Sequence, residues 1–178
     1  MSLTHTESTL TPNIQFDINA TVSVEVTIND DSIFNDQTAF RRAELLPASN
    51  DGNDDSTVGI KSIHFSVMKS DARPLNLSHE YQLAFLETAD FSANQFVLKT
   101  GTILGMEDAG LDPDTLFIFG NTNQNQLLFS TPFTAGVFHN FALTLDFDAL
   151  YVPSLHPFHP SQFSQEQKRS SSRGKKTY

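Results

Sequence analysis

Two short stretches set carboxyl groups where neighbouring side chains could hold and use them. In Phe40-Arg-Arg-Ala-Glu-Leu-Leu-Pro47, Arg42 and Glu44 stand two residues apart. On an extended chain they share a face, and a guanidinium there can grip the carboxylate. In Ser78-His-Glu-Tyr-Gln-Leu-Ala-Phe-Leu-Glu87, a period of two places Tyr81, Leu83 and Phe85 on one face and Glu80, Gln82 and Ala84 on the other. The first set reads as core, so Glu80 is expected on a polar, cleft-lining face with Gln82 beside it as a ligand for hydroxyl groups. Glu87 falls in register with the core set at the strand end, where a loop-facing acid is the plain expectation. Two positioned carboxyls suit the hydrolysis of a glycosidic bond. One protonates the leaving oxygen, and the other activates water or attacks the anomeric carbon. The alternative for each is a strand glutamate that is salt-bridged or solvated. Among the histidines, His64 and His79 are weaker candidates for proton transfer, and His139 alternates with Phe141, Leu143 and Leu145 as a packed residue would.

The elements that must position these groups read as strands. Val22, Val24, Val26 and Ile28 alternate with Thr21, Ser23, Glu25 and Thr27. Further strands are predicted over Phe40–Leu46, Ile60–Met68, His79–Glu87, Phe96–Thr100, Leu116–Phe119, Leu127–Phe129 and Val137–Phe147. Turn signals separate them: Asn29-Asp30-Asp31, the stretch from Pro47 to Thr57, Arg73-Pro74 and Asp112-Pro113-Asp114. A short helical turn is expected near Glu107–Leu111. Many short strands at fairly even spacing predict an all-β fold, an antiparallel β-sandwich or jelly roll. Residues 151–178 are rich in Ser, Pro, Gln and Lys/Arg without strand alternation, so they read as a disordered tail. The expected organisation is an N-terminal segment over 1–19, a sandwich domain over 20–150 and the tail over 151–178.

Composition narrows the partners. The chain has 16 Phe against three Tyr and no Trp, a leaning towards pleated, half-buried surfaces. Its formal net charge is −10, yet the tail carries Lys168, Arg169, Arg173, Lys175 and Lys176 against Glu166 alone. The tail is therefore at +4 and the first 150 residues at −14. So acidic a body repels nucleic acid, anionic lipid and polyuronate, and a neutral polymer or a cation is the easier partner. With no Cys, disulfides and thiol catalysis are excluded. No apolar run approaches the roughly 18 residues of a membrane helix, and the first residues lack the basic and apolar regions of a signal peptide. Sequons occur at Asn19-Ala-Thr21 and Asn76-Leu-Ser78. The acidic rows Asn50–Asp55 and Asp112–Asp114 lack the spacing of a calcium loop and read as turns. Neither a zinc pattern nor a phosphate-gripping glycine loop is present, so no metal or cofactor is expected.

Several strings agree in order with one known family. These are FRRAELLPASN, Ile63-His-Phe-Ser-Val-Met68, Arg73-Pro-Leu-Asn-Leu-Ser-His-Glu-Tyr-Gln82, Leu98-Lys-Thr-Gly-Thr-Ile-Leu-Gly105, Phe129-Ser-Thr-Pro-Phe-Thr134 and the run from Phe138 to Phe147. Together, over about residues 20–150, the chain resembles the fungal β-glucan hydrolases of glycoside hydrolase family 131. The resemblance implies a concanavalin-like sandwich and a secreted, extracellular enzyme acting as a monomer on β-1,3-, β-1,6- or β-1,4-linked glucan. It also implies Glu44 as the first catalytic carboxyl. Glu80, with Glu87 as alternate, is the second, and Arg42, Gln82, His79 and Tyr81 would contact substrate.

The family continues beyond Leu150 with further strands, so a sandwich incomplete at its C-terminus is expected, with poor solubility and impaired activity. Two other readings compete. A lectin-like glucan binder or inactive homologue would use the same face without chemistry. A polysaccharide lyase would use Arg41, Arg42 and Tyr81, although the acidic body opposes a polyuronate substrate.

Overall fold

In a computed structural model of the chain, the described residues are 23–46, 55–121, 126–148 and the backbone of 151–158. The chain divides into two compact units, Met1–Ser56 and Thr57–Tyr178.

The second unit is an antiparallel β-sandwich. Its strands are β1 (Ile60–Val67), β2 (Glu80–Glu87), β3 (Asn94–Gly101), β4 (Thr115–Phe119), β5 (Leu127–Pro132), β6 (His139–Asp146) and β7 (Tyr151–Phe158). One sheet has the order β1-β6-β7, and the other is a meander, β2-β3-β4-β5. The chain leaves the first sheet after β1, builds the second in full, and returns to lay β6 against β1.

The alternation of β6 explains the packing. Phe141, Leu143 and Leu145 point inward to meet Phe96 and Leu98 of β3 and Leu116 and Ile118 of β4. Phe65 stacks on Phe141 with ring centroids 5.4 Å apart, and Phe129 meets Phe141 edge-on. Each such side chain buried contributes about 1.5–3 kcal/mol, so this inter-sheet layer carries most of the driving force. β4, and the middle of β3 at Val97, are apolar on both faces. Their outward residues Val97, Phe117 and Phe119 form a second cluster with Ile103, Met106 and Leu111 from the β3–β4 connection. That connection contains a 3-10 turn at Glu107–Ala109, where the sequence places a helical turn.

Six strand predictions hold to within a few residues, and three stretches differ. The segment 23–28 forms only an isolated bridge at Glu25, with Val24, Val26 and Ile28 about half exposed. Residues 40–46 are irregular. In both, alternation is present but no strand forms among the described residues, and alternation alone does not make a strand. Conversely, β7 lies within the stretch 151–178 that composition reads as a tail. Its backbone pairs with β6 from Asn140↔Phe158 to Asp146↔Tyr151. Pro153 and Pro157 hide the strand pattern, and an edge position tolerates the donors they lack.

Candidate functional site

In the first unit, Glu44 is fixed by a clasp of short-range bonds. Asn29 caps a 3-10 turn over Asp30–Ser32, its Oδ1 accepting the Asp31 N–H at 2.9 Å. The Arg42 N–H donates to the Ser32 carbonyl at 2.8 Å, which ties this turn to residue 42. Arg41 is absorbed by the same loop: Nε and Nη2 reach Asp30 Oδ1, and Nη1 reaches the Thr38 carbonyl. The Arg42 guanidinium lies 5.1 Å from the Phe34 ring centroid. Its Nε and Nη2 donate to a single oxygen, Glu44 Oε1, at 2.8 and 2.6 Å. Glu44 Oε2 takes no hydrogen bond from a described residue, and the side chain is 34% exposed. Among the described residues, the carboxyl is oriented through one oxygen and has no partner at the other. This arrangement arises on irregular chain and not on the predicted strand.

In the second unit, Glu80 begins β2 and is almost fully enclosed, its side chain 8% exposed. Oε1 receives Lys99 Nζ at 2.9 Å and Gln82 Nε2 at 3.1 Å, while Oε2 receives the Leu104 N–H at 3.0 Å. Burial by itself raises the pKa of this carboxyl, but the Lys99, Gln82 and Leu104 donors outweigh it and hold the group below its ordinary value of 4.5. Glu80 is thus an anion at neutral pH. Gln82 lies opposite Lys99 in the β2–β3 ladder, so these three groups share the outer face of the four-stranded sheet. Close approach of the strands there depends on Gly101. Its φ is +85°, and a Cβ added to it would lie 1.9 Å from the His79 carbonyl oxygen.

A β-bulge between Gln82 and Ala84 corrects the predicted faces of β2. Leu83, Ala84 and Leu86 pack on the inter-sheet core, while Phe85 lies opposite Val97 and is 37% exposed. The period-two reading therefore holds up to Leu83 and inverts from Ala84 onward. On the polar face, Glu80 is enclosed and bonded to the Leu104 amide of the β3–β4 connection, whereas Gln82 beside it is exposed.

Tyr81 lies across from the fully buried Thr100, and its hydroxyl accepts the Asn76 N–H at 3.1 Å. It does not share Glu80's face. His79 is exposed in the turn before β2, and Glu87 is exposed at the opposite end of that strand. The second unit thus brings Glu80 and Gln82 together and leaves Tyr81, His79 and Glu87 apart from them. Of the groups on which the lyase reading rested, Arg41 pairs with Asp30, Arg42 with Glu44, and the Tyr81 hydroxyl accepts the Asn76 N–H. In the row Asn50–Asp55, residues 50–54 lie outside the described residues, as does Asn19; Asn76 of the other sequon is exposed.

Sequence reasoning missed Lys99 and the Leu104 amide. The signal for Lys99 was present: a lysine in Phe96-Val-Leu-Lys-Thr100, an otherwise buried run, demands a counter-ion. It also missed the polar outer face of the other sheet. There Ser66 Oγ donates to Asn140 Oδ1 at 2.6 Å and Ser62 meets Thr144 at 3.4 Å.

The profile described as "Glycoside hydrolase 131 catalytic N-terminal domain" matches residues 3–171. Among solved structures, the catalytic domain of the glycoside hydrolase family 131 protein from Coprinopsis cinerea is 27% identical. That match covers 57% of this chain and 36% of that one, with a TM-score of 0.45. A GH131 beta-glucanase catalytic domain from Podospora anserina is 26% identical over 57% of this chain and 41% of that one, with a TM-score of 0.44. The chain thus spans less than half the length of either. Comparison with curated proteins yields no match. With the profile covering nearly all of its length, the chain belongs to glycoside hydrolase family 131.

Proposed function

We propose that this chain hydrolyses β-linked glucan, with Glu44 as the carboxyl that meets the glycosidic oxygen. The observation that carries this reading is the Arg42–Glu44 geometry. Two guanidinium donors lock Oε1, which fixes the direction of Oε2 without occupying it. A general acid or base needs that combination of fixed orientation and one reachable oxygen. Family membership supplies the reaction class.

Hydrolysis needs a second carboxyl, for which Glu80 and, as alternate, Glu87 are the candidates. Glu80 is an anion at neutral pH, the state a base or nucleophile requires, and one of its bonds to Lys99, Gln82 or Leu104 must yield an oxygen to substrate. Glu87 is exposed at the far end of β2. Arg42 and Gln82 act as substrate ligands in this scheme. The net charge of −10 favours a neutral glucan, met by a monomer outside the cell, where wall polysaccharide lies.

The test is reducing-sugar release from β-1,3-, β-1,6- and β-1,4-glucans by the purified chain, beside Glu44→Gln. Loss of two to four orders of magnitude in the variant, with glucan binding kept, is the expected result. Binding without hydrolysis in the parent chain would instead establish a glucan-binding module.

The Leu104 bond favours a second reading for Glu80 alone, as the pin that ties the β3–β4 connection to the sheet. Glu80→Gln assayed at a temperature where it stays folded separates the two. A pin leaves turnover intact, whereas a second carboxyl does not.

A further inference from the structure

We infer that Phe91, at the tip of the β2–β3 hairpin, is a stacking platform for a pyranose ring of the glucan chain, an inference that rests on the glucan reading above.

Among the described residues, three non-glycine residues have positive φ: Asn35 at 48°, Asp36 at 59° and Phe91 at 58°. Asn and Asp tolerate this left-handed conformation because their short polar side chains bond locally, but a bulky aromatic does not. Phe91 is also the most exposed of the large hydrophobic side chains described, at 79%. A sequence selected only for stability would place glycine here and no aromatic in water.

The loop holds this costly arrangement firmly. The Thr88 N–H donates to the Ala93 carbonyl at 2.9 Å, and the Ala93 N–H returns to Thr88 Oγ1 at 3.2 Å. The Phe91 N–H donates to the Thr88 carbonyl at 2.9 Å. Asp90 Oδ1 accepts both the N–H and the hydroxyl of Ser92, at 3.1 and 2.7 Å. The chain neighbours are small, Ala89, Ser92 and Ala93. Strain kept in place by a network of this kind points to a function for the strained residue.

The chemistry of the tip selects the ligand. An unsubstituted aromatic face takes apolar C–H surface, which a β-linked glucose unit presents on its ring faces. The Asp90 carboxylate beside it disfavours a polyanion. Phe91 thus adds an anchoring point for a polymer without taking part in bond cleavage.

The experiment is retention of the 178-residue chain on insoluble β-1,3-glucan and on cellulose, comparing the parent with Phe91→Gly and Phe91→Trp. Glycine suits φ near +58°, so Phe91→Gly should melt no lower than the parent, and its loss of retention would not reflect unfolding. The expected result is about 3- to 10-fold weaker retention for Phe91→Gly on one of the polymers, recovery in Phe91→Trp, and unchanged hydrolysis of short soluble oligosaccharides. Equal retention of parent and Phe91→Gly overturns the inference. So does conversion of a dimeric parent to a monomer in sedimentation, which would make the ring a self-association contact. A parent that hydrolyses glucan in a Glu44-dependent way without being retained overturns the platform alone. A parent that does neither overturns the glucan reading as well.

Discussion

Replacing Glu80 by Gln keeps the volume of the side chain and removes its charge, leaving Lys99 without its counter-ion under the 102–111 connection. Glu80 and Lys99 lie 2.9 Å apart with side chains 8% and 16% exposed. At an effective dielectric constant of about 20, two unit charges at that distance attract by about 6 kcal/mol before desolvation. Desolvation of both ions takes back much of this, and a fully buried pair broken on one side costs about 3–5 kcal/mol. For a pair enclosed but not sealed, the loss should be about 2–4 kcal/mol, a fall in Tm of about 8–16 °C for a unit of this size. The assay is a double-mutant cycle of Glu80→Gln, Lys99→Met and both together, followed by urea and thermal unfolding. Because each single variant strands the other partner, the double variant should be less destabilised than the sum by about 1.5 kcal/mol or more. The pH dependence has a defined sign. Glu80 sits below 4.5 in the folded chain, so the unfolded chain takes up its proton first. The stabilisation is complete above 4.5 and is lost as pH falls through the lowered folded value. The gap between parent and Glu80→Gln should therefore narrow on acidification. Additivity within about 0.5 kcal/mol, or a gap that widens below pH 4.5, would refute the claim that Glu80 and Lys99 stabilise the fold as a coupled ion pair.

Two further outcomes follow from the geometry. Gly101→Ala must move the His79 carbonyl, a backbone atom, and adopt a strained φ. It should cost about 3 kcal/mol or more, measured by urea unfolding, and would show the approach of Gly101 to His79 to be loose if it cost less than 1. Arg42→Lys keeps the charge but cannot place two donors on Glu44 Oε1 or stack on Phe34. Its kcat on glucan should fall about 10-fold with stability altered by less than about 1 kcal/mol, whereas a fall in stability with intact kcat would mark Arg42 as purely structural.

Local patterning was enough for six of the seven strands of the second unit. Strict alternation in Phe141-Ala-Leu-Thr-Leu145 and the apolar run Leu116–Phe119 specify strands because side-chain direction along an extended chain is a local property. The grip of Arg42 on Glu44 was legible for the same reason, since two residues of extended chain bring those groups together whether or not a ladder forms. Three features were decided only by tertiary structure. The bulge after Gln82 turned Phe85 outward and Ala84 inward, because register depends on the facing strand and not on β2 alone. The Pro-containing segment 151–158 became β7 because β6 offered a free edge to pair with. Glu80 became an enclosed, ion-paired anion because Lys99 and the Leu104 amide, 19 and 24 residues away in the chain, meet it only once β3 has paired with β2 and its connection has folded back over the sheet.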